Sequence, residues 1–78
     1  MKVLVTVMPK PSVLDPQGAA AAEAMRHHGL EKIGRVRIGK VIEIELPDGA
    51  SEAALHEVAK DLLSNPVIED YELQVMNH

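Results

Sequence analysis

The 78 residues of this chain are enough for one small domain, and we expect a single domain over residues 1–78. The formal net charge is −4, Phe and Trp are absent, and Tyr71 is the single tyrosine. Nucleic-acid-binding domains normally carry a basic surplus and, where they bind single strands, aromatic side chains on which bases stack. The composition therefore argues against nucleic acid as a partner.

The core has to be built from aliphatic side chains, because the chain also lacks Cys. A domain of this size buries only roughly 60% of the surface that its unfolded chain exposes, and such a core rarely supplies more than about 3–5 kcal/mol. We therefore expect the chain to bind a second copy or another subunit. The apolar start, residues 1–8, is too short for a signal peptide or a membrane span, so we expect a cytoplasmic protein without membrane contact.

The first half predicts a strand followed by a helix. Residues 2–8 favour a strand that is covered on both sides, because apolar residues occupy both of its faces. Asp15 and Pro16 predict a helix start, with the carboxylate accepting from the free N–H groups of the first turn and proline at the first helical position. The helix is expected to run through four alanines to His28, and Gly29 predicts the left-handed residue that ends it.

Residues 35–46 form the segment around which the chain is organised. Apolar and charged side chains alternate along it, as is typical of a half-buried strand. Lys40 falls on the apolar side of this alternation, where an unpaired ammonium is costly. We therefore expect the strand to bend, twist or pair at Lys40.

The charges of this segment suggest how it pairs. A two-residue hairpin at Gly39–Lys40 would mix the polar and apolar faces, so it is disfavoured. Two arrangements remain open: a longer loop within the chain, or one long strand paired with a second copy across a two-fold axis. Antiparallel pairing about Lys40 sets Arg35 opposite Glu45. It likewise sets Arg37 opposite Glu43, so that each pair is favourable.

The second half predicts a helix and a last strand. The helix is expected over residues 51–64, with one buried face, and Asn65-Pro66 ends it. The members of that face are Ala54, Leu55, Val58, Ala59, Leu62 and Leu63. Residues 68–76 predict the last strand. The order β-α-β-α-β, with the middle strand long, bent or split, predicts an α+β two-layer sandwich of ferredoxin-like character, an antiparallel sheet with both helices on one face.

Few residues offer chemistry. Glu43 and Glu45 are two carboxylates on one strand face, but nothing apolar surrounds them to raise a pKa, so a solvated face is favoured over acid–base catalysis. His27 and His28 point about 100° apart on a helix, which is poor geometry for a metal. No nucleophile motif or phosphate-binding loop is present. We expect a small interaction domain with no catalytic, cofactor or metal site.

Four motifs carry a resemblance to a known family: Val13–Gly18, Val36–Lys40, Leu62–Pro66 and Val67–Tyr71. In this order and at this chain length, they resemble the PurS subunit of phosphoribosylformylglycinamidine (FGAM) synthase, and the likeness spans essentially the whole chain. The resemblance implies an accessory subunit in purine biosynthesis, for a reaction in which formylglycinamide ribonucleotide, glutamine and ATP give the amidine, glutamate, ADP and phosphate.

The resemblance also implies partners. A glutaminase subunit releases ammonia and a large synthase subunit binds the substrate, ATP and Mg²⁺, while the PurS-like chain holds no cofactor. PurS-like chains form homodimers, or tetramers, that hold the two enzymes together for ammonia transfer. The candidate assembly residues lie at the first helix start, in the central segment and at the corner before the last strand. They are Asp15, Gln17, Gly18, Arg37, Gly39, Lys40, Asn65, Glu69 and Asp70. Folding alone explains Lys40 least, which makes it the strongest candidate for a contact.

Two other functions stay open at this stage. A regulatory domain of ferredoxin-like shape would bind an amino acid or a nucleotide at a dimer interface, but it needs a convergent polar pocket. The loop after the first strand, Pro9–Ser12, lacks the glycines that often build such a pocket. An enzyme in its own right would use Glu43, Glu45 and His56. His56 is predicted on the polar face of a different element, which disfavours this function.

Overall fold

Three antiparallel strands form one sheet in the computed structural model, which describes residues 1–76. The strands are β1 (Lys2–Pro9), β2 (Lys40–Glu45) and β3 (Glu69–Met76), in the order β2-β1-β3. β1 is central, as predicted, because β2 pairs with one of its edges and β3 with the other. The predicted cover on both faces is present only in part, since the face with Val3, Val5 and Val7 is buried and the opposite face is half-buried. Asn77 and His78, which we expect to fray beyond the last strand, lie outside the described residues.

Two helices alternate with the strands and complete the predicted β-α-β-α-β order. They are α1 (Pro16–His27) and α2 (Glu52–Val58), and a π-helical turn, Ala59–Leu63, continues α2. Gly29 has a φ of 109° and follows α1 as predicted. Its N–H donates to the Arg26 carbonyl and the Leu30 N–H donates to the Met25 carbonyl, which is the Schellman ending of a helix.

The core is small and lies between the sheet and α2. Val3, Val5 and Val7 of β1 are fully buried, and they pack with Leu55 and Ala59 of α2 and its π-helical turn. The buried positions of α1, Gly18 and Ala22, do not belong to this cluster. α1 instead packs along residues 34–36, and residues of both segments line an open cavity of about 300 Å³.

The predicted buried face of α2 is wrong in part. Leu55 and Ala59 are buried and Leu63 is half-buried, as predicted. Ala54 is exposed, Val58 is 41% exposed and Leu62 is 77% exposed. The six predicted positions form two neighbouring stripes about 100° apart on a helix. The narrow sheet covers only the stripe that contains Leu55, Ala59 and Leu63.

The central segment does not fold back on itself. β2 begins at Lys40 and pairs with β1, with Lys40 opposite Val7, so a loop within residues 35–46 is ruled out by the described pairing. Residues 35–39 form no regular secondary structure, so the strand predicted over residues 35–46 is present in the single chain only as Lys40–Glu45. The Lys40 side chain is exposed at the end of the sheet, so its ammonium stays in water and the predicted burial cost does not arise.

Candidate assembly surface

The loop between β1 and α1, residues 10–15, joins the three predicted groups of assembly residues. Arg35 and Asp15 connect it to the central segment, and Lys10 connects it to Asp70 at the start of β3. Of the residues predicted from the sequence, only Asp15 lies in this loop, at its end. A loop held from two sides can position both neighbours relative to each other.

Asp15 connects the start of α1 to the central segment. The residue directly precedes the helix, as predicted, but its carboxylate does not cap α1 by a hydrogen bond. Its Oδ2 atom instead accepts from the Ile38 N–H at 2.8 Å. The pKa of the Asp15 carboxyl lies below its usual value. The Ile38 N–H makes the largest contribution to this shift and the nearby Gly18 N–H makes the next largest. The carboxylate that was predicted to cap α1 thus joins two segments of the chain, because residues 36–38 pass close to the start of the helix.

Gly18 lies at a close approach between α1 and the central segment. A Cβ atom at this position would lie 2.1 Å from the Val36 carbonyl oxygen. Glycine is therefore required by the approach of a backbone oxygen, and no larger residue fits without moving one of the two segments. Gln17, beside it, is exposed.

Arg35 and Arg37 bind carbonyl oxygens of the loop and of the end of β1. One Arg35 nitrogen donates to the Val13 carbonyl at 2.8 Å and the other donates to the Pro11 carbonyl. Arg37 donates to the Pro9 carbonyl at 3.0 Å. Sequence reasoning missed Arg35 as a site residue, because its alternation with apolar neighbours suggested only a pairing with a carboxylate.

Gly39 sits where the central segment joins β2. A Cβ atom here would lie 2.3 Å from both the Met8 sulfur and the Val7 carbonyl oxygen. The absence of a side chain thus lets the segment pass against the end of β1. Arg37 and Gly39 therefore both lie against the end of β1, and Lys40 follows directly, so these three predicted residues lie close together.

The corner before β3 forms a closed turn. The Asn65 side-chain oxygen accepts from the Val67 N–H at 3.1 Å, and the Glu69 carboxylate accepts from the Asn65 N–H at 2.8 Å. Asp70 accepts from the Lys10 ammonium at 2.8 Å, which ties the corner to the loop. Asn65, Glu69 and Asp70 therefore hold local structure, and what they present to a partner is the outer surface of this turn.

The residues of the enzyme alternative lie apart. Glu43 pairs with the Lys2 ammonium at 2.7 Å, a contact that raises the pKa of Lys2. His56 Nδ1 lies 3.1 Å from the Tyr71 hydroxyl, on the face of the sheet that α2 covers. Glu43 is opposite Leu4 on the other face. The sheet thus separates these groups, and they cannot act on one substrate atom from a shared cleft.

The cavity beside α1 has little polar character. Its walls are mostly aliphatic, and of its charged residues Asp15 and Arg35 already bind backbone groups. Among residues 1–76, no group of three or more His, Asp or Glu side chains is placed to hold a metal ion. Over the same residues, no helix has the length and apolar character needed to cross a membrane.

Comparison with known proteins gives one consistent result. The family model described as PurS, phosphoribosylformylglycinamidine (FGAM) synthase, matches residues 2–77. The PurS subunit of Bacillus subtilis is 43% identical over 76 residues, which cover 95% of this chain and 90% of the relative. The subunit of Mycobacterium leprae is 41% identical over 70 residues, which cover 90% of this chain and 89% of the relative.

Solved structures agree with the sequence comparison. A crystal form of Bacillus subtilis PurS superposes with a TM-score of 0.84 at 42% identity, covering 97% of this chain and 98% of that one. A chain in the structure of PurLQS from Thermotoga maritima gives a TM-score of 0.81 at 27% identity, covering 96% and 95%. A match of this extent in both sequence and fold confirms the resemblance. The chain belongs to the PurS family of phosphoribosylformylglycinamidine synthase.

Proposed function

We propose that this chain is the small accessory subunit of an FGAM synthase, a ligase, and that it holds the glutaminase and synthase subunits together for ammonia transfer. The whole-chain match to PurS subunits carries this proposal, since it covers 95% of this chain at 43% identity. A similar chain occurs in a structure named for three components, PurL, PurQ and PurS. A cytoplasmic location, and the use of ATP and Mg²⁺ by the synthase subunit, stay predictions.

The chemistry of the described residues supports an accessory role. The carboxylates with short contacts bind backbone N–H groups or lysines of the chain itself, as Asp15, Glu43, Glu69 and Asp70 do. Groups engaged in this way stabilise local structure and are not poised for acid–base work. The fold offers instead two helices and the fixed loop of residues 10–15, and these can form surfaces for larger partners.

Ammonia transfer gives such a subunit a physical purpose. Ammonia released into water is protonated and diluted, whereas two active sites held together keep its effective concentration high. A subunit that fixes their relative position therefore raises the rate without catalysing a step. The same reasoning predicts that free ammonium, supplied at high concentration, replaces glutamine without the subunit.

We also infer that two copies of the chain pair through the central segment. β2 is an edge strand, and none of the backbone groups of residues 35–38 bonds to another backbone group of the described chain. Together they leave one long row of donors and acceptors open. The small core and the exposed Val58 and Leu62 also favour association.

Assembly is the direct test of the proposal. Purified glutaminase and synthase subunits are mixed with and without this chain, and the masses of the complexes are measured by light scattering after size exclusion. We expect the glutaminase and the synthase to elute together in one complex only when the chain is present. A glutaminase–synthase complex of the same stability without the chain, or failure of the chain to join either enzyme, would contradict the proposed function.

A further inference from the structure

The segment that leads into β2 is fixed by side chains and not by a backbone ladder. Arg35 bridges two carbonyls of the loop, Arg37 binds the Pro9 carbonyl, and Asp15 binds the Ile38 N–H. These contacts fix the position of residues 35–38 while the backbone groups of Arg35, Val36 and Arg37 form no backbone hydrogen bond within residues 1–76.

We propose that Asp15, Arg35 and Arg37 are positioning residues, which hold residues 35–38 ready to pair with a second copy of this chain. The inference rests on the proposed pairing of two copies and adds the residues that make it favourable. A segment that is already ordered loses less conformational freedom when its partner arrives, so the complex forms more tightly. We call the contacts of Asp15, Arg35 and Arg37 the clamp.

Two observations point to a second copy of this chain as the partner: residues 35–38 are continuous with β2, and their charges match those of β2. The clamped residues continue directly into β2, whose outer edge is open, so an added strand can run along both. Pairing about Lys40 places Arg35 and Arg37 opposite the two glutamates of β2 in the second copy. Each guanidinium has five N–H donors. Arg35 uses two of its nitrogens and Arg37 one in the clamp, so both keep donors for a carboxylate.

A purely structural role for the clamp makes a different prediction. The buried cluster of Val3, Val5, Val7, Leu55 and Ala59 contains none of the clamp residues, so removing a clamp contact should leave this cluster folded. If the clamp only stabilises the fold, its loss lowers unfolding stability and leaves association of the folded chain unchanged. If it positions the segment, its loss weakens association at unchanged secondary structure.

The test compares the dissociation constant of the pair by sedimentation equilibrium for wild type and variants, with circular dichroism as a check of folding. Arg35→Met removes the bridge, and Arg26→Met is the matched control, since the Arg26 side chain has no hydrogen bond or ion pair among the described residues. We expect Arg35→Met to weaken association about tenfold, as for one net hydrogen-bonded charge, and Arg26→Met to change it less than about threefold.

Asp15 supplies a second and independent pair of variants. Asp15→Ala removes the acceptor for the Ile38 N–H and should weaken association. Asp15→Asn keeps an oxygen at this position and should recover most of the affinity. Should Arg35→Met fail to fold, the two Asp15 variants decide the question.

Equal dissociation constants for wild type, Arg35→Met and Asp15→Ala would overturn the positioning role. An equal loss in Arg35→Met and Arg26→Met would also overturn it, since it would assign the effect to net charge. Failure of the parent proposal has a separate signature, because a wild-type chain that stays monomeric at every concentration contradicts the pairing itself.

Discussion

The Asp15 carboxylate accepts a hydrogen bond of 2.8 Å from the Ile38 N–H and so joins the start of α1 to the segment that leads into β2. The two residues are 23 positions apart, and the same short region contains the close approach of Gly18 to Val36. No side chain of α1 belongs to the buried cluster that packs against the sheet. The position of α1 therefore depends on these polar and close-packed contacts.

Acid should weaken this junction. The pKa of Asp15 is lowered in the folded chain by the Ile38 N–H, so the ionised form is the one that folding favours. The stabilisation by ionised Asp15 is complete above about pH 5. It is lost as the pH falls through the pKa of Asp15 in the folded chain, which lies below the ordinary 3.8. Urea unfolding between pH 7 and pH 3 should show a smaller decrease in the free energy of unfolding for Asp15→Asn than for wild type. Identical pH profiles would contradict this role.

Glycine substitutions should separate a required glycine from a tolerated one. In Gly18→Ala, the new methyl group meets the Val36 carbonyl oxygen at 2.1 Å. We expect a loss of about 1–3 kcal/mol in the free energy of unfolding, as for overpacked sites. Gly34→Ala is the control, since no atom beyond its two chain neighbours lies within 4 Å of its Cβ position. It should be neutral or gain up to about 1 kcal/mol, measured by urea unfolding at one protein concentration. Equal effects would show that the close approach is not limiting.

Leu55 of α2 and Leu62 of the π-helical turn should differ in their effect on stability. Leu55→Ala empties a buried position and should cost about 2–5 kcal/mol of unfolding free energy. Leu62→Ala removes a side chain that is 77% exposed and should change the free energy by less than about 0.5 kcal/mol in the isolated chain. A large loss on Leu62→Ala at low protein concentration would show that this side chain is covered within the single copy.

Pairing about Lys40 makes a prediction that the absence of cysteine renders easy to test. In this register the two copies of residue 40 face each other across the two-fold axis, so Lys40→Cys should form a disulfide-linked dimer under mild oxidation. Glu57→Cys, on the exposed side of α2, is the matched control and should stay monomeric on a non-reducing gel. If Lys40→Cys does not cross-link while the chain is dimeric, the register is wrong.

The sequence predicts the elements that depend on local pattern. The central position of β1 follows from its two apolar faces, and the end of α1 follows from Gly29. The contacts of Asp15 and Arg35 could not be predicted in the same way, because their partners are backbone groups of distant segments, and every residue has such groups. The exposure of Leu62 depends on the width of the sheet, which cannot be predicted from the periodicity of the helix.

Amidine formation by a mixture of glutaminase and synthase subunits, with and without this chain, tests the accessory role most directly. The rate is measured with glutamine and, separately, with free ammonium as the nitrogen source. We expect synthesis from glutamine to require the chain and synthesis from ammonium to proceed largely without it, since transfer between the active sites is the step the chain serves. If leaving out the chain changes neither rate, it is not the coupling subunit of these enzymes.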